Sequence, residues 1–153
     1  MQVKRRGALK AAGAFGALLA AGLLRPLAAL AAAWNNDAFG AKSVADALKG
    51  LGIAGSEASS GIVIEAPQIA ENGAVVPIEI SSGIPGTTSI AVMIEKNPFP
   101  LAGKFDFTDG ALPFVKVNVK MGETSGVRVI ASAGGKHYVA SKEIKVTIGG
   151  CGG

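Results

Sequence analysis

The sequence predicts an all-β fold, and two observations support that prediction. From Ile62 onward the apolar residues recur with a period of two, so each run has one apolar and one polar face. Pairs of turn-forming residues separate the runs. One buried and one wet face is typical of antiparallel sheets. About seven short strands over roughly 90 residues favour an immunoglobulin-like antiparallel β-sandwich, with a closed barrel as the alternative.

Seven runs are predicted to form these strands, and the alternation is clear in several of them. In one run Val115, Val117 and Val119 alternate with Lys116 and Asn118. The seven runs are 61–65, 74–80, 89–95, 104–108, 114–120, 126–132 and 136–148. The turn signals between them are Asn72-Gly73, Ser82-Gly83, Pro85-Gly86, Asn97-Pro98, Asp109-Gly110 and Gly134-Gly135. We expect each strand to bury one face and to leave the other in water.

A short helix is predicted ahead of the strands. Ser43 is placed to cap its N-terminus, and Gly52 is placed to end it. Between them the apolar residues repeat at helical spacing, at Val44, Ala47, Leu48 and Leu51. Residues 34–60 are therefore expected to form a helical lead-in to a β domain at 61–148.

The charge of the chain is unevenly distributed. The 153 residues carry a formal charge of +4, but residues 1–33 hold five basic residues and no acidic one. The remainder has a net charge of −1. A nucleic-acid or membrane-surface function based on positive charge is therefore excluded for the β domain. The composition also excludes a disulfide-stapled miniprotein, a collagen-like chain and an acidic disordered tail.

Residues 1–33 have the layout of a cleaved export signal. Arg5-Arg6 precedes an uncharged run at 11–24, and Ala31-Ala32-Ala33 forms a small-residue cleavage site before Trp34. The run is shorter than the roughly 20 residues that a bilayer span needs, which disfavours the alternative of an anchored helix. The paired arginines resemble a twin-arginine signal, although Lys4 and Ala8 depart from its usual pattern. We expect a periplasmic protein.

The chain ends in Gly149-Gly150-Cys151-Gly152-Gly153, which we interpret as a flexible arm at 149–153. Glycines offer no side chain to pack into a core, so burial of the cysteine is disfavoured. Extended backbone would place Cys151 roughly 10 Å beyond Ile148. Cys151 is the one cysteine of the chain. An exposed thiol without a function would pair or oxidise in an oxidising compartment, so we expect this thiol to be functional.

The sequence offers little that could activate this thiol from within the chain. His137 is the only histidine, and we interpret it as a sheet or turn residue. The nearest fixed charge is the carboxylate of Gly153, and a negative neighbour disfavours the thiolate. The pattern indicates a protein that presents its sulfur to active sites elsewhere, without catalysis or a cofactor of its own.

The C-terminal motif carries a resemblance to a known family. The ending KVTIGGCGG follows Lys142-Glu143-Ile144, and upstream stand Ile94-Glu95-Lys96-Asn97-Pro98-Phe99-Pro100-Leu101-Ala102 and the strand from Phe105 to Phe107. Together with the signal, these features resemble the SoxY family, the sulfur-carrier subunits of the bacterial thiosulfate-oxidising (Sox) system. The resemblance covers essentially the whole chain, and GGCGG at the extreme C-terminus is its specific part.

The resemblance implies a covalent carrier with a defined set of partners. Cys151 would be conjugated to thiosulfate by a haem c enzyme, and a dimanganese hydrolase would then release sulfate. A molybdenum dehydrogenase would oxidise the remaining sulfane, or the sulfane would be passed on. The chain would form a heterodimer with a SoxZ-like β-sandwich subunit. The residues matching the arm are Gly149, Gly150, Gly152 and Gly153.

Three alternatives use the same residues differently. Cys151 could make an intermolecular disulfide in an exported structural protein. It could join His137 and Met93 or Met121 in a copper site, but such sites need two histidines, and the two methionines are more simply interpreted as core residues. Gly152-Gly153 could be a thiocarboxylate tail, which export and an all-β pattern disfavour.

Other polar and aromatic residues support weaker hypotheses. Four lysines on the polar sides of strands are expected to form a solvated face that protects edges, or to guide the arm toward acidic partners; they are Lys104, Lys116, Lys120 and Lys145. Asp106 and Asp109 lie near a turn without further metal ligands. Phe99, between two prolines, is either an exposed anchor for the partner subunit or a core residue.

Overall fold

Alternating apolar residues build two sheets that face each other across one core. The computed structural model describes residues 34–147; the predicted signal at 1–33 and residues 148–153 lie outside this range. The chain divides into two units at Trp34, and the unit that begins at Asn35 contains every element below. No helix within residues 34–147 is both long and apolar enough to cross a membrane.

Within residues 34–147 two short helices precede nine strands. In chain order they are α1 Asn36–Phe39, α2 Val44–Gly50, β1 Glu57–Ala58, β2 Ile62–Glu65, β3 Ile69–Ala70, β4 Val76–Ser82, β5 Thr87–Ile94, β6 Leu101–Asp106, β7 Phe114–Val119, β8 Ser125–Ala133 and β9 Lys136–Val146. All seven predicted strands are present. The two that were not predicted, β1 and β3, have two residues each, too few to show a period.

The strands form a larger and a smaller sheet, which confirms the all-β sandwich. The larger sheet has the order β1-β9-β8-β5-β6, with β3 also paired to β9, and the smaller one has the order β2-β4-β7. Most pairs are antiparallel, as predicted. The exceptions are β1 and β3, which both run parallel to β9.

The core between the sheets follows the predicted alternation. Ile78 and Ile80 of the smaller sheet and Ile90 and Val129 of the larger one are buried in it. In β7 the valines face this core, and Lys116 is exposed on the other side. Each sheet therefore contributes one apolar face to a single core, as expected for a sandwich.

The prediction that every outer face is wet is wrong for the larger sheet. Met93 of β5 and Ile130 of β8 point away from the inter-sheet core and pack in a second apolar cluster with Ala38 and Ala47 of the helices. The helices therefore cover this face, which buries β5 on both sides. The N-cap prediction is confirmed, since the Ser43 hydroxyl accepts a hydrogen bond from the Asp46 amide at 3.1 Å.

Different loops form the two ends of the sandwich. At one end lie the loops 71–75, 95–100 and 120–124 together with the last residues of β9. We call this the arm end, because the chain continues from it toward residues 148–153. At the other end, here the opposite end, lie the loops 83–86 and 107–113 and the β8–β9 hairpin.

Candidate functional site

The predicted carrier residues lie just beyond the described part of the chain. Cys151 and the four glycines Gly149, Gly150, Gly152 and Gly153 fall in residues 148–153. The structure does show the segment from which they continue. Cys151 is four residues past Thr147, so an extended chain would carry it about 13 Å from that residue.

The last residues of β9 and Thr147 lead toward the arm, and we call this segment the root of the arm. Hydrogen bonds from two of its backbone amides hold it on both sides. On one side the Val146 amide donates to Thr124 Oγ1 at 2.9 Å. On the other side the Thr147 amide donates to the Ala70 carbonyl at 3.1 Å. Ile144 is fully buried, and Val146 packs against the inter-sheet core. The chain is therefore anchored as far as Thr147.

Further hydrogen bonds join the three loops around the root. The Met121 amide donates to the Gly73 carbonyl at 2.7 Å, and Asn97 Nδ2 donates to the Lys120 carbonyl at 2.7 Å. The Lys96 amide donates to the hydroxyl of buried Ser125 at 3.1 Å. The loops thus form one connected platform. The sequence indicated turns at Asn72-Gly73 and Asn97-Pro98 but not these contacts, which join residues far apart along the chain.

An ion pair lies beside the platform on the larger sheet. Glu95 Oε1 accepts from Arg128 Nε at 2.9 Å and lies 2.7 Å from its Nη2. The Glu95 side chain passes over Gly126, where a Cβ would come within 2.7 Å of Glu95 Oε2. Sequence reasoning missed this pair, because its partners are 33 positions apart.

Phe99 is presented to solvent at the arm end. Its side chain is 49% exposed, and Lys42 Nζ lies 3.6 Å from the ring centroid. This distance is that of a cation–π contact. Of the two hypotheses for Phe99, burial in the core is therefore wrong, and the structure contains an exposed aromatic ring in the loop 95–100.

His137 lies at the other end of the strand that leads to the arm. It stands at the start of β9, where its Nδ1 shares a hydrogen bond with Ser132 Oγ at 2.9 Å. Nine residues of extended strand separate it from Val146, a distance of roughly 30 Å. The arm is too short to return Cys151 to this imidazole, so His137 cannot serve that thiol as a base or as a fellow metal ligand within one molecule.

Two methionines and one aspartate that the sequence offered as possible metal ligands contribute to the core or to an ion pair. Met93 is buried beneath the helices and Met121 in the inter-sheet core, which confirms their interpretation as core residues. Asp106 pairs with Lys104. Within residues 34–147 no three His, Cys, Asp or Glu side chains are grouped so that they could hold a metal ion.

The four lysines on the polar faces are all exposed, as predicted. Lys116 Nζ lies 2.6 Å from Glu79 Oε1 on the outer face of the smaller sheet. The hydrogen bond to Glu79, followed by the charge of that carboxylate, raises the pKa of Lys116 above its ordinary value of 10.5. Lys120 and Lys145 stand at the arm end.

A sandwich that anchors its last strand and continues it into a cysteine-bearing segment has the architecture of a carrier domain. The family model described as sulfur oxidation protein SoxY matches residues 49–151, a range that includes Cys151. The chain belongs to the SoxY family.

Solved structures agree with this assignment. The sulfur carrier protein SoxY from Chlorobium limicola f thiosulfatophilum is 39% identical, with a TM-score of 0.61 over 66% of this chain and 92% of that one. A superoxide reductase (neelaredoxin) from Ignicoccus hospitalis is 23% identical, with a TM-score of 0.51 over 56% of this chain and 80% of that one, and shows the fold alone. A comparison with curated proteins found no match. The family and the SoxY structure support a sulfur-carrier role in sulfur oxidation for this chain.

Proposed function

We propose that this protein carries the intermediates of thiosulfate oxidation as covalent adducts of Cys151 and presents them to partner enzymes in the periplasm. The observation that carries the proposal is the anchored root. An extended chain that continues from Thr147 could carry Cys151 at most about 13 Å from that residue, and Thr147 lies at the end of the sandwich away from His137. His137, the one histidine of the chain, is too far away to act as a base for this thiol, and the proposal assigns the chemistry to enzymes that accept the arm. The protein itself is a non-catalytic carrier.

The proposed cycle balances with external partners. The Cys151 thiolate and thiosulfate form an S–S bond and release two electrons, which a haem c enzyme accepts. The product is a cysteine S-thiosulfonate. Water then attacks its terminal sulfonate in a manganese hydrolase, which releases sulfate with a proton and leaves the sulfane sulfur on the cysteine. A molybdenum dehydrogenase then removes six electrons from that sulfane, with three waters supplying the oxygen atoms of a cysteine S-sulfonate, and a second hydrolysis releases sulfate and frees the thiol. Alternatively, the sulfane sulfur is transferred onward.

The glycines beside Cys151 suit entry into narrow active sites. Gly149, Gly150, Gly152 and Gly153 lack a Cβ and have the widest backbone range, so several enzymes of different shape can take the same segment. The four-residue reach from Thr147 also sets how closely an enzyme must approach. Its active-site mouth must meet the arm end, because the thiol extends only about 13 Å from it.

Export and a partner subunit complete the proposal. Residues 1–33 would direct the protein to the periplasm and then be removed. A twin-arginine route exports folded proteins, which would let a SoxZ-like subunit without its own signal leave in complex with this chain.

Intact-mass analysis tests the carrier function. The exported protein is isolated with its partner from cells oxidising thiosulfate, alongside Cys151→Ser. We expect thiosulfate-sized and sulfur-sized additions on the wild-type chain and none on the variant. Equal additions on both, or none on either during turnover, would exclude a carrier role for Cys151. Non-reducing electrophoresis of the same samples tests the disulfide alternative, which requires a covalent dimer as the dominant form.

A further inference from the structure

Three consecutive backbone amides at the root of the arm donate hydrogen bonds to alternate sides. The amides of Lys145 and Thr147 donate to backbone carbonyls in or next to β3, at 2.9 and 3.1 Å. Between them the Val146 amide points the other way and donates to Thr124 Oγ1 at 2.9 Å. Successive amides of a strand face opposite neighbours, so this end of β9 is held from both sides.

The bond at Val146 differs from the other two because its acceptor is a side chain. The register between β8 and β9 ends at the pair Ser125 and Ile144, so no strand residue of β8 lies opposite Val146. The hydroxyl of Thr124 takes the place of a strand carbonyl. The carbonyls beside β3 are present whatever residues stand there, whereas a hydroxyl at position 124 depends on the sequence. Thr124 therefore decides whether the root is held on its second side.

The loop that carries Thr124 is itself fixed at both ends. At its start the Met121 amide donates to the Gly73 carbonyl at 2.7 Å. At its end Ser125 is 2% exposed, and its hydroxyl accepts a hydrogen bond from the Lys96 amide at 3.1 Å. The Thr124 hydroxyl is thus presented to Val146 from a part of the platform that is already in place.

The state of this root decides how far the thiol can extend. Ile144 is fully buried, so it remains in the core when the residues after it are released. Cys151 is four residues beyond Thr147 and seven beyond Ile144. An extended chain reaches about 13 Å over the shorter segment and about 23 Å over the longer one. Release of the root therefore adds about 10 Å to the largest possible reach of Cys151.

We propose that Thr124 is a positioning residue of the carrier, whose hydroxyl holds the root and thereby limits the reach of Cys151 to the chain after Thr147. A short tether keeps the thiol at a higher effective concentration in the active site of a docked enzyme than a long one does. The inference rests on the proposed function, since reach matters only for a thiol that other enzymes act on. It goes beyond that function by assigning control of the reach to a side chain outside the arm.

The test shortens the arm and then releases its root. The preformed heterodimer with the SoxZ-like subunit is loaded by the haem c conjugating enzyme, and intact mass follows the rate. Deletion of Gly149 removes about 3.3 Å of reach and should slow loading of Cys151 roughly tenfold or more. Adding Thr124→Val should raise that rate again about fivefold, because loss of one hydrogen bond shifts the opening of the root by about that factor.

Two control variants separate this role from a general loss of stability. Thr124→Ser keeps the hydroxyl, so in the shortened chain it should leave loading slow. Thr88→Val removes the same kind of hydroxyl at the opposite end, where Thr88 Oγ1 donates to the Ser132 carbonyl at 3.2 Å, and should also leave loading slow. Hydrogen exchange of the Val146 amide in the full-length chain should rise about fivefold in Thr124→Val and stay unchanged in both controls.

Several outcomes would overturn the inference. Full-rate loading after deletion of Gly149 would mean that reach from the root is not limiting. No gain from Thr124→Val, or an equal gain from either control, would exclude control by the Thr124 hydroxyl. Hydrogen exchange separates the two proposals, because it needs no enzyme. Unchanged exchange at Val146 in Thr124→Val would refute the positioning role alone, whereas absence of loading in the wild-type chain would refute the carrier function.

Discussion

The two ends of the sandwich use glycine for different physical reasons. At the arm end Gly73 stands where a Cβ would lie 2.3 Å from the Met121 carbonyl oxygen. Its backbone φ is not positive, so glycine is needed there for space. At the opposite end four turn glycines have nothing within 4 Å of a Cβ but have positive φ; they are Gly86, Gly110, Gly134 and Gly135. Close packing therefore requires glycine at position 73, whereas backbone conformation favours glycine at these four turn positions.

The exposed phenylalanines show a second difference between the ends. Phe99 and Phe114 are almost equally exposed, at 49% and 50%. Phe99 has the ammonium of Lys42 over its ring, whereas Phe114 is in register with Ser81, which is itself in register with exposed Val63. A single aromatic paired with a cation suits a contact that forms and breaks, because water can replace it at low cost. A group of apolar side chains suits a contact that persists.

Substitution of Gly73 gives the largest predicted effect. Gly73→Ala forces the loops 71–75 and 120–124 apart and should cost about 1–3 kcal/mol, which corresponds to a Tm about 4–12 °C lower. Gly86→Ala should cost roughly 1 kcal/mol, the strain of a side chain at positive φ. Thermal unfolding measures both, and hydrogen exchange at the Val146 amide should rise only in Gly73→Ala.

Asparagine at positions 73 and 86 distinguishes a requirement for space from a requirement for positive φ. Asn tolerates positive φ better than Ala, so Gly86→Asn should regain much of the stability that Gly86→Ala loses. Gly73→Asn should be no more stable than Gly73→Ala, because the larger side chain needs more space. Recovery at position 73, or none at position 86, would contradict the distinction between the two ends.

Gly73 also shows what the sequence can and cannot predict. Asn72-Gly73 and Asp109-Gly110 have the same form as turn signals, yet only Gly110 has positive φ. Local patterns predicted all seven longer strands, because a period of two is a property of neighbouring residues. The close approach of Gly73 to Met121 depends on residues 48 positions apart, and no local pattern contains it.

The difference between local patterns and contacts of distant residues also explains which other features the sequence predicted and which it missed. The burial of Met93 beneath α1 and α2 is a tertiary contact, so a single strand gave no sign of it. The root of the arm depends on Thr124 and Ala70, which lie far from β9 in sequence. Cys151 could be singled out from sequence, because its isolation among glycines is itself local.

Phe99 tests whether enzymes dock at the arm end. In the preformed heterodimer, Phe99→Ala should raise the KM for enzymatic loading of Cys151 about fivefold, equivalent to roughly 1 kcal/mol of lost contact. Phe114→Ala serves as the matched control, since it has the same exposure at the other end, and should leave that KM within about twofold. Steady-state kinetics with the haem c conjugating enzyme measures both.

A small thiol reagent controls for the reactivity of Cys151 itself. Such a reagent needs no docking surface, so its rate with Phe99→Ala should equal that of the wild-type chain. Slower enzymatic loading in Phe114→Ala than in Phe99→Ala would mean that the conjugating enzyme docks at the opposite end and not at the arm end.

The Lys116–Glu79 pair on the outer face of the smaller sheet gives the smallest predicted effect, because both side chains are in contact with water. The raised pKa of Lys116 means that the folded state favours its charged form. The stabilisation is therefore fully present below pH 10.5 and is lost as the pH rises through the higher folded-state pKa. The Tm difference between wild type and Lys116→Gln should be positive near about pH 8 and should shrink near about pH 11.5. Lys120→Gln, at an exposed lysine with no ion-pair partner within residues 34–147, should show no such trend. A pH-independent Tm difference for Lys116→Gln would mean that the side chain acts through packing and that its ion pair with Glu79 is absent in solution.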